Sequence, residues 1–125
     1  MRDEESRKRV DPKERTKGFA LRIIRLYSAL PKTTVAQVLG KQLLRSGTSV
    51  GAHYREAIRS RSNAEFISKL EGALQELEET AYWIELLVES KIFTQARVAA
   101  LMKEDDELTA ILTTCVKNAK ARRTP

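Results

Sequence analysis

A chain of 125 residues with 42% hydrophobic and 32% charged side chains is sized for one domain that can close a core, which excludes a multi-lobed enzyme. Five glycines and three prolines offer too few turns for a many-stranded sheet, so an all-α fold is expected. Twenty-three Lys and Arg against seventeen Asp and Glu leave a net +6, a balance suited to an anionic partner, with nucleic acid the leading candidate.

Four helices can be read in chain order. Asp11-Pro12-Lys13-Glu14 supplies an N-cap carboxylate, a first-turn proline and a glutamate placed to bond back, and Pro31 closes the segment. Between them Phe19, Ile23, Leu26, Tyr27 and Leu30 recur at helical spacing, predicting helix one over about 12–30. Thr34 with Gln37 repeats the capping pattern, and Val35, Leu39, Leu43, Val50, Tyr54 and Ala57 predict helix two over about 34–59. Propensity alone would make Arg45-Ser46-Gly47-Thr48-Ser49-Val50-Gly51 a loop, because glycine costs up to about 1 kcal/mol relative to alanine in a helix. The apolar phase set by Leu39 and Leu43 resumes at Val50 and Tyr54, so the helix is expected to run through. Gly47 and Gly51, four apart, would then let another helix come close.

Ser62 and Glu65 form a capping box ahead of the stripe Phe66, Leu70, Ala73, Leu74, Leu77, Ala81, Ile84 and Val88, which predicts helix three over about 63–90. Thr94 caps a fourth helix over about 95–120, with Phe93 and Val98 in staple positions. Short links between long helices force antiparallel neighbours, so the expected architecture is an up-down-up-down four-helix bundle. The charged residues 1–10 and the basic tail 122–125 are expected to be mobile. A single cysteine, Cys115, and a charged first twenty residues point to the cytoplasm. The most apolar stretch, Ala81 to Val88, is short and carries Glu85, so no membrane span is expected.

Charge is unevenly spread. Residues 1–70 carry sixteen Lys and Arg against seven acids, residues 71–107 three against ten, and residues 108–125 four against none. At 100° per residue, Lys41, Arg45, Arg55 and Arg59 fall within about 40° of one direction, opposite Leu39, Leu43 and Val50. Together with Arg61, Arg122 and Arg123, this stripe could neutralise several backbone phosphates without reading sequence. A solvated face, or one paired with acids of a neighbouring subunit, is the other reading. No zinc-finger spacing or aromatic RNA-binding motif points to sequence-specific recognition. Glu71, Glu78 and Glu85 form an acidic strip on helix three, too widely spaced for a paired-carboxylate site and suited to a structural or inter-subunit role.

Nothing positive indicates catalysis. His53 is the sole histidine and Cys115 falls mid-helix, so a core thiol is the simpler reading than a Cys115–His53 dyad. There is no Glu-x-x-His pair for a di-metal bundle and no Gly-rich phosphate loop. No metal or cofactor is expected. Tyr82 and Trp83 point aside from the main stripe, toward a subunit interface or a neighbouring helix, and Asp105, in the apolar phase of helix four, marks a similar boundary.

Lys41-Gln42-Leu43-Leu44-Arg45-Ser46-Gly47-Thr48-Ser49-Val50-Gly51-Ala52, then Arg55-Glu56-Ala57, resembles the signature of the bacterial four-helix-bundle family named for 23S ribosomal RNA intervening sequences. The likeness continues through Phe66-Ile67-Ser68-Lys69-Leu70, Ala73-Leu74, Glu76, Glu79-Thr80, Tyr82-Trp83 and Glu85-Leu86-Leu87, spanning about Phe19 to Phe93. His53 stands where that family commonly carries asparagine. The resemblance implies an antiparallel four-helix bundle and a ring-shaped homopentamer, gives Gly47 and Gly51 a close-packing role, and implies no reaction. A related group implies a further possibility, an accessory protein that binds nucleic acid and a reverse transcriptase.

The reading from sequence is a non-enzymatic oligomeric bundle that binds RNA or DNA through Lys41, Arg45, Arg55, Arg59, Arg61, Arg122 and Arg123. Gly47 and Gly51 pack helices, and Tyr82 and Trp83 serve the interface. Its rival is a scaffold or accessory subunit for a protein partner.

Overall fold

The computed structural model describes residues 10–122, which form four helices: α1 (Pro12–Ser28), α2 (Thr34–Ile58), α3 (Asn63–Glu89) and α4 (Gln95–Ala121). The expected mobility of residues 1–9 and 123–125, and the role given to Arg123, lie outside the described residues.

Local chemistry sets the helix ends. The Asp11 carboxylate accepts from the Lys13 N–H at 2.9 Å with Pro12 opening the first turn, which satisfies one of the donors a helix start leaves bare. The α1 helix stops at Ser28, two residues before the expected Leu30, because Ala29 and Leu30 close a tighter turn onto Leu26 and Tyr27. The cap of α2 is Thr33, not Thr34: its hydroxyl accepts from Ala36 at 3.3 Å. Ser62 and Thr94 cap α3 and α4 as the spacing predicts, and both Phe93 and Val98 are buried. Lys91 takes a left-handed conformation, φ 66°, where Ile92 and Phe93 bond back to the Leu87 carbonyl and end α3.

Each helix packs on its sequence neighbours and α4 closes onto α1, while among the described residues the backbones of the diagonal pairs stay apart. Phe19, Ile23, Leu43, Val50, Leu70, Leu77, Ile84, Leu87, Leu108 and Leu112 fill the centre. The α2 helix is continuous through Ser46 to Gly51. The partner that comes close there is α1: a Cβ on Gly47 would stand 2.6 Å from Ile23 Cγ1, and one on Gly51 3.1 Å from the Thr16 hydroxyl. Farther along, Leu30 and Tyr27 fill the space over Gly40. On its other side α2 meets α3, where the buried Ser46 and Thr80 hydroxyls bond at 2.9 Å. Val35, expected on the apolar face, is exposed.

Candidate nucleic-acid interface

An unbroken α2 gives the basic residues a common support. Lys41, Arg45 and Arg59 are on its outer side, and Arg55 is half-buried; at 1.5 Å per residue, Lys41 and Arg59 stand about 27 Å apart along the axis. Arg45 differs from the others. Its guanidinium reaches across to α3, 3.3 Å from Glu76 and bonded also to Glu79, so much of its charge is neutralised within the chain. Among the described residues, Lys41, Arg55, Arg59, Arg61 and Arg122 have no ion-pair partner.

Tertiary structure adds a grouping that the stripe does not contain. The Asn63 side-chain amide donates to the Ala119 carbonyl at 2.8 Å, fixing the α2–α3 turn beside the end of α4. Arg59, Arg61 and the exposed Arg122, which ends α4, therefore share one end of the bundle, with Arg55 one turn inward. Lys41 belongs to the other end. The C-termini of α2 and α4 at this end, which favour cations, are offset by the N-termini of α1 and α3 beside them, so the charge here is that of the side chains.

The acidic helix works mainly as a counterweight. Glu76 also lies 3.6 Å from His53 Nε2, Glu56 lies 3.2 Å from His53 Nδ1, and Lys69 sits 3.8 Å from Glu56. Glu71 pairs with Lys120 at 3.2 Å. His53 thus lies in the α2–α3 seam, seated over Gly72, with its Nδ1 buried and without a hydrogen-bond partner among the described residues. Cys115 is half-buried on α4, on the side where burial, then the charges of Asp11 and Cys115, push the Tyr54 phenol above its usual value. The two residues of the conceivable dyad face different neighbours. Among the described residues, no group of three or more His, Cys, Asp or Glu could hold a metal ion, and no helix is long and apolar enough to cross a membrane.

Of the aromatic pair, Tyr82 is 52% exposed; its ring meets that of Trp83 edge-on at 5.2 Å. The Trp83 Nε1 is buried with no hydrogen-bond partner.

Asp105 is no boundary residue. It is 3% exposed, its Oδ2 is unpartnered, and its carboxyl is pushed up to about 7, chiefly by burial and then by the charge of Asp106, with Thr109 opposing. It borders a groove of about 570 Å³ between α3 and α4, together with Glu71, Glu78 and Asp106. Buried Arg15 closes the other side of α4 on Glu104 at 3.0 Å and Glu107 at 2.9 Å. These carboxylates raise its pKa, the Glu104 hydrogen bond most of all, against the opposing effect of burial.

A second basic cluster lies off the α2 stripe: Arg22 and Arg25 on α1 and Arg97 on α4 border one notch. The spacing of the first two is visible in sequence, but nothing local brings Arg97 to them.

A family model for 23S rRNA-intervening sequence proteins matches residues 8–114. The chain belongs to this family. The match extends well into α4, beyond the Phe19 to Phe93 span that carries the resemblance in sequence. Within the solved structures, this family member is similar to a protein with unknown function from the S23 ribosomal protein family of Bacteroides thetaiotaomicron VPI-5482. Identity is 39% over 86% of this chain and 99% of that one, at a TM-score of 0.81. A comparison with curated proteins finds no match.

Proposed function

We propose that this member of the family is a non-enzymatic, cytoplasmic protein that binds RNA or DNA through backbone phosphates, and that its centre is the basic end of the bundle. The observation that carries this reading is that Arg55, Arg59, Arg61 and Arg122 gather there without an ion-pair partner among the described residues, whereas Arg45 is held by Glu76 and Glu79. Unpaired guanidiniums on a rigid support are suited to phosphate, since each displaces condensed counterions on contact. Lys41 extends the surface along α2, and Arg45 plays the smaller part.

Assembly belongs to the same proposal. Leu21 and Ile24 on α1, Val35 and Val38 on α2, and Tyr82 on α3 are large apolar side chains left exposed, material for contact between copies. A homopentameric ring would repeat the basic end and raise avidity without new contacts.

Mobility shifts with a structured RNA across a salt series test the reading. Affinity should fall steeply with salt, and Arg55→Glu with Arg59→Glu should weaken binding by about tenfold or more at low salt. Unchanged binding by that variant overturns the assignment. Sedimentation of the parent, against a variant carrying Val35→Ser and Val38→Ser, tests assembly.

A second reading has its own observation. Glu78, Glu85 and Glu89 lie on α3 and have no ion pair among the described residues, a surface fit for a basic protein partner. On that reading the protein is a scaffold or accessory subunit, and a stoichiometric protein, not nuclease-sensitive material, would co-purify with it.

A further inference from the structure

We propose that the notch between α1 and α4 bordered by Arg22, Arg25 and Arg97 binds a phosphomonoester dianion, at a site separate from the basic end described above. The notch has a volume of about 230 Å³ and is closed below by Leu26 and Leu101, both nearly buried. No acidic residue is among its described lining, and none of the three arginines has an ion pair among the described residues. Earlier on α1, Arg15 is by contrast paired with Glu104 and Glu107. Here three arginines line one concavity that no described acidic side chain enters.

The chemistry selects the ligand. Guanidinium groups offer planar pairs of N–H donors that match phosphate oxygens, and charge-assisted bonds of this kind are among the stronger hydrogen bonds. Three cations around one small volume favour a group carrying two charges over the single charge of an internal phosphodiester. The notch is open to solvent, so a phosphate seated among the arginines would leave its substituent extending outward. One contact restrains the Arg97 side chain: its guanidinium carbon lies 5.2 Å from the Phe93 ring centroid. Arg25 is exposed and free to close on a ligand, while half-buried Arg22 forms the wall.

Such a phosphate could come from the 5′ end of a nucleic acid or from a free nucleotide; the shared chemistry is the monoester. Arg97 and Arg122 lie at opposite ends of α4, about 38 Å apart at 1.5 Å per residue, so this site and the proposed nucleic-acid surface can fail separately.

The experiment is titration of the full chain with a 5′-nucleoside monophosphate, and with one short RNA bearing either a 5′-phosphate or a 5′-hydroxyl. Amide chemical shifts near residues 22–26 and 97–101 provide the readout. Binding should strengthen as pH rises through the phosphate's second ionisation near about 6. Arg25→Gln with Arg97→Gln should weaken nucleotide binding by about tenfold or more, while Lys117→Gln, which removes an exposed cation of α4 outside the notch, leaves nucleotide binding unchanged. A preference for the 5′-phosphate RNA supports the proposal with a nucleic-acid end as the source. Equal binding of the two RNAs, with the nucleotide still bound, supports it with a free nucleotide as the source. The proposal is overturned if the Arg25 and Arg97 variant binds the nucleotide as the parent does. It is equally overturned if the parent binds no nucleotide; a change in the variant's sedimentation would then make the notch a contact for a carboxylate of a second copy.

Discussion

The α2 and α4 helices are nearly the same length, yet one is sealed against both neighbours and the other stands away from them. Small residues make the α2 seams: Gly40, Gly47 and Gly51 admit α1, and Ser46 meets Thr80 of α3. The α4 helix contains no glycine, and its seams hold the buried Asp105, the Arg15 cluster, the acidic groove and the arginine notch. Close approach leaves little space, so the α1–α2 and α2–α3 seams admit small polar groups such as the Ser46 and Thr80 hydroxyls. The grooves and the buried Asp105 carboxyl collect around α4, while α2 carries Arg55 and Arg59, unpaired among the described residues, outward on a rigid frame.

The most severe challenge to this contrast is to remove the charge trapped beside α4. The Asp105 carboxyl, at about 7 against an ordinary 3.8, keeps in the folded state a proton that the unfolded chain has already released. Between these values stability must fall as pH rises, by about 1.4 kcal/mol per pH unit from this group, and the loss is complete above about pH 7. Asp105→Asn should therefore gain on the parent by roughly 3 kcal/mol between pH 5 and pH 8, measured by urea unfolding. An equal difference at both pH values would mean that the buried carboxyl is ionised throughout.

Next in size is an attack on the tight seam. Gly47→Val drives side-chain atoms into buried Ile23 and should cost about 1–3 kcal/mol, in spite of the better helix propensity of the new residue. Gly18, with nothing within 4 Å of a built Cβ, is the control: Gly18→Ala should stabilise by up to about 1 kcal/mol. Thermal unfolding separates the packed position from the open one, and equal shifts for the two variants would refute close packing at Gly47.

The smallest effect belongs to the surface. Arg45→Gln removes contacts to Glu76 and Glu79 at a side chain that is 48% exposed, and should change stability by less than about 1 kcal/mol in chemical unfolding.

Much of the fold was legible because its signals are local. Capping residues and apolar spacing located all four helices to within two residues at each end, including α2 across Ser46 to Gly51, where phase was a better guide than propensity. Thr33 displaced Thr34 as a cap because both are threonines and only backbone geometry separates them. The candidate interface was less legible. Helical spacing aligned Lys41, Arg45, Arg55 and Arg59, but could not reveal that Glu76 and Glu79, over thirty residues away, would hold Arg45. Asp105 looked like an edge residue because a carboxylate in an apolar phase is usually exposed.

Sequence alone was enough for the helices, their antiparallel order, the family and the separation of basic from acidic segments, since each follows from interactions a few residues apart. Which charges cancel and which remain available was settled by the packing of the bundle. Packing set Glu76 and Glu79 against Arg45, brought Arg122 to Arg59 and Arg61, and joined Arg97 to Arg22 and Arg25. Electrostatic interaction depends on distance through space, and a bundle makes neighbours of residues that the chain keeps far apart.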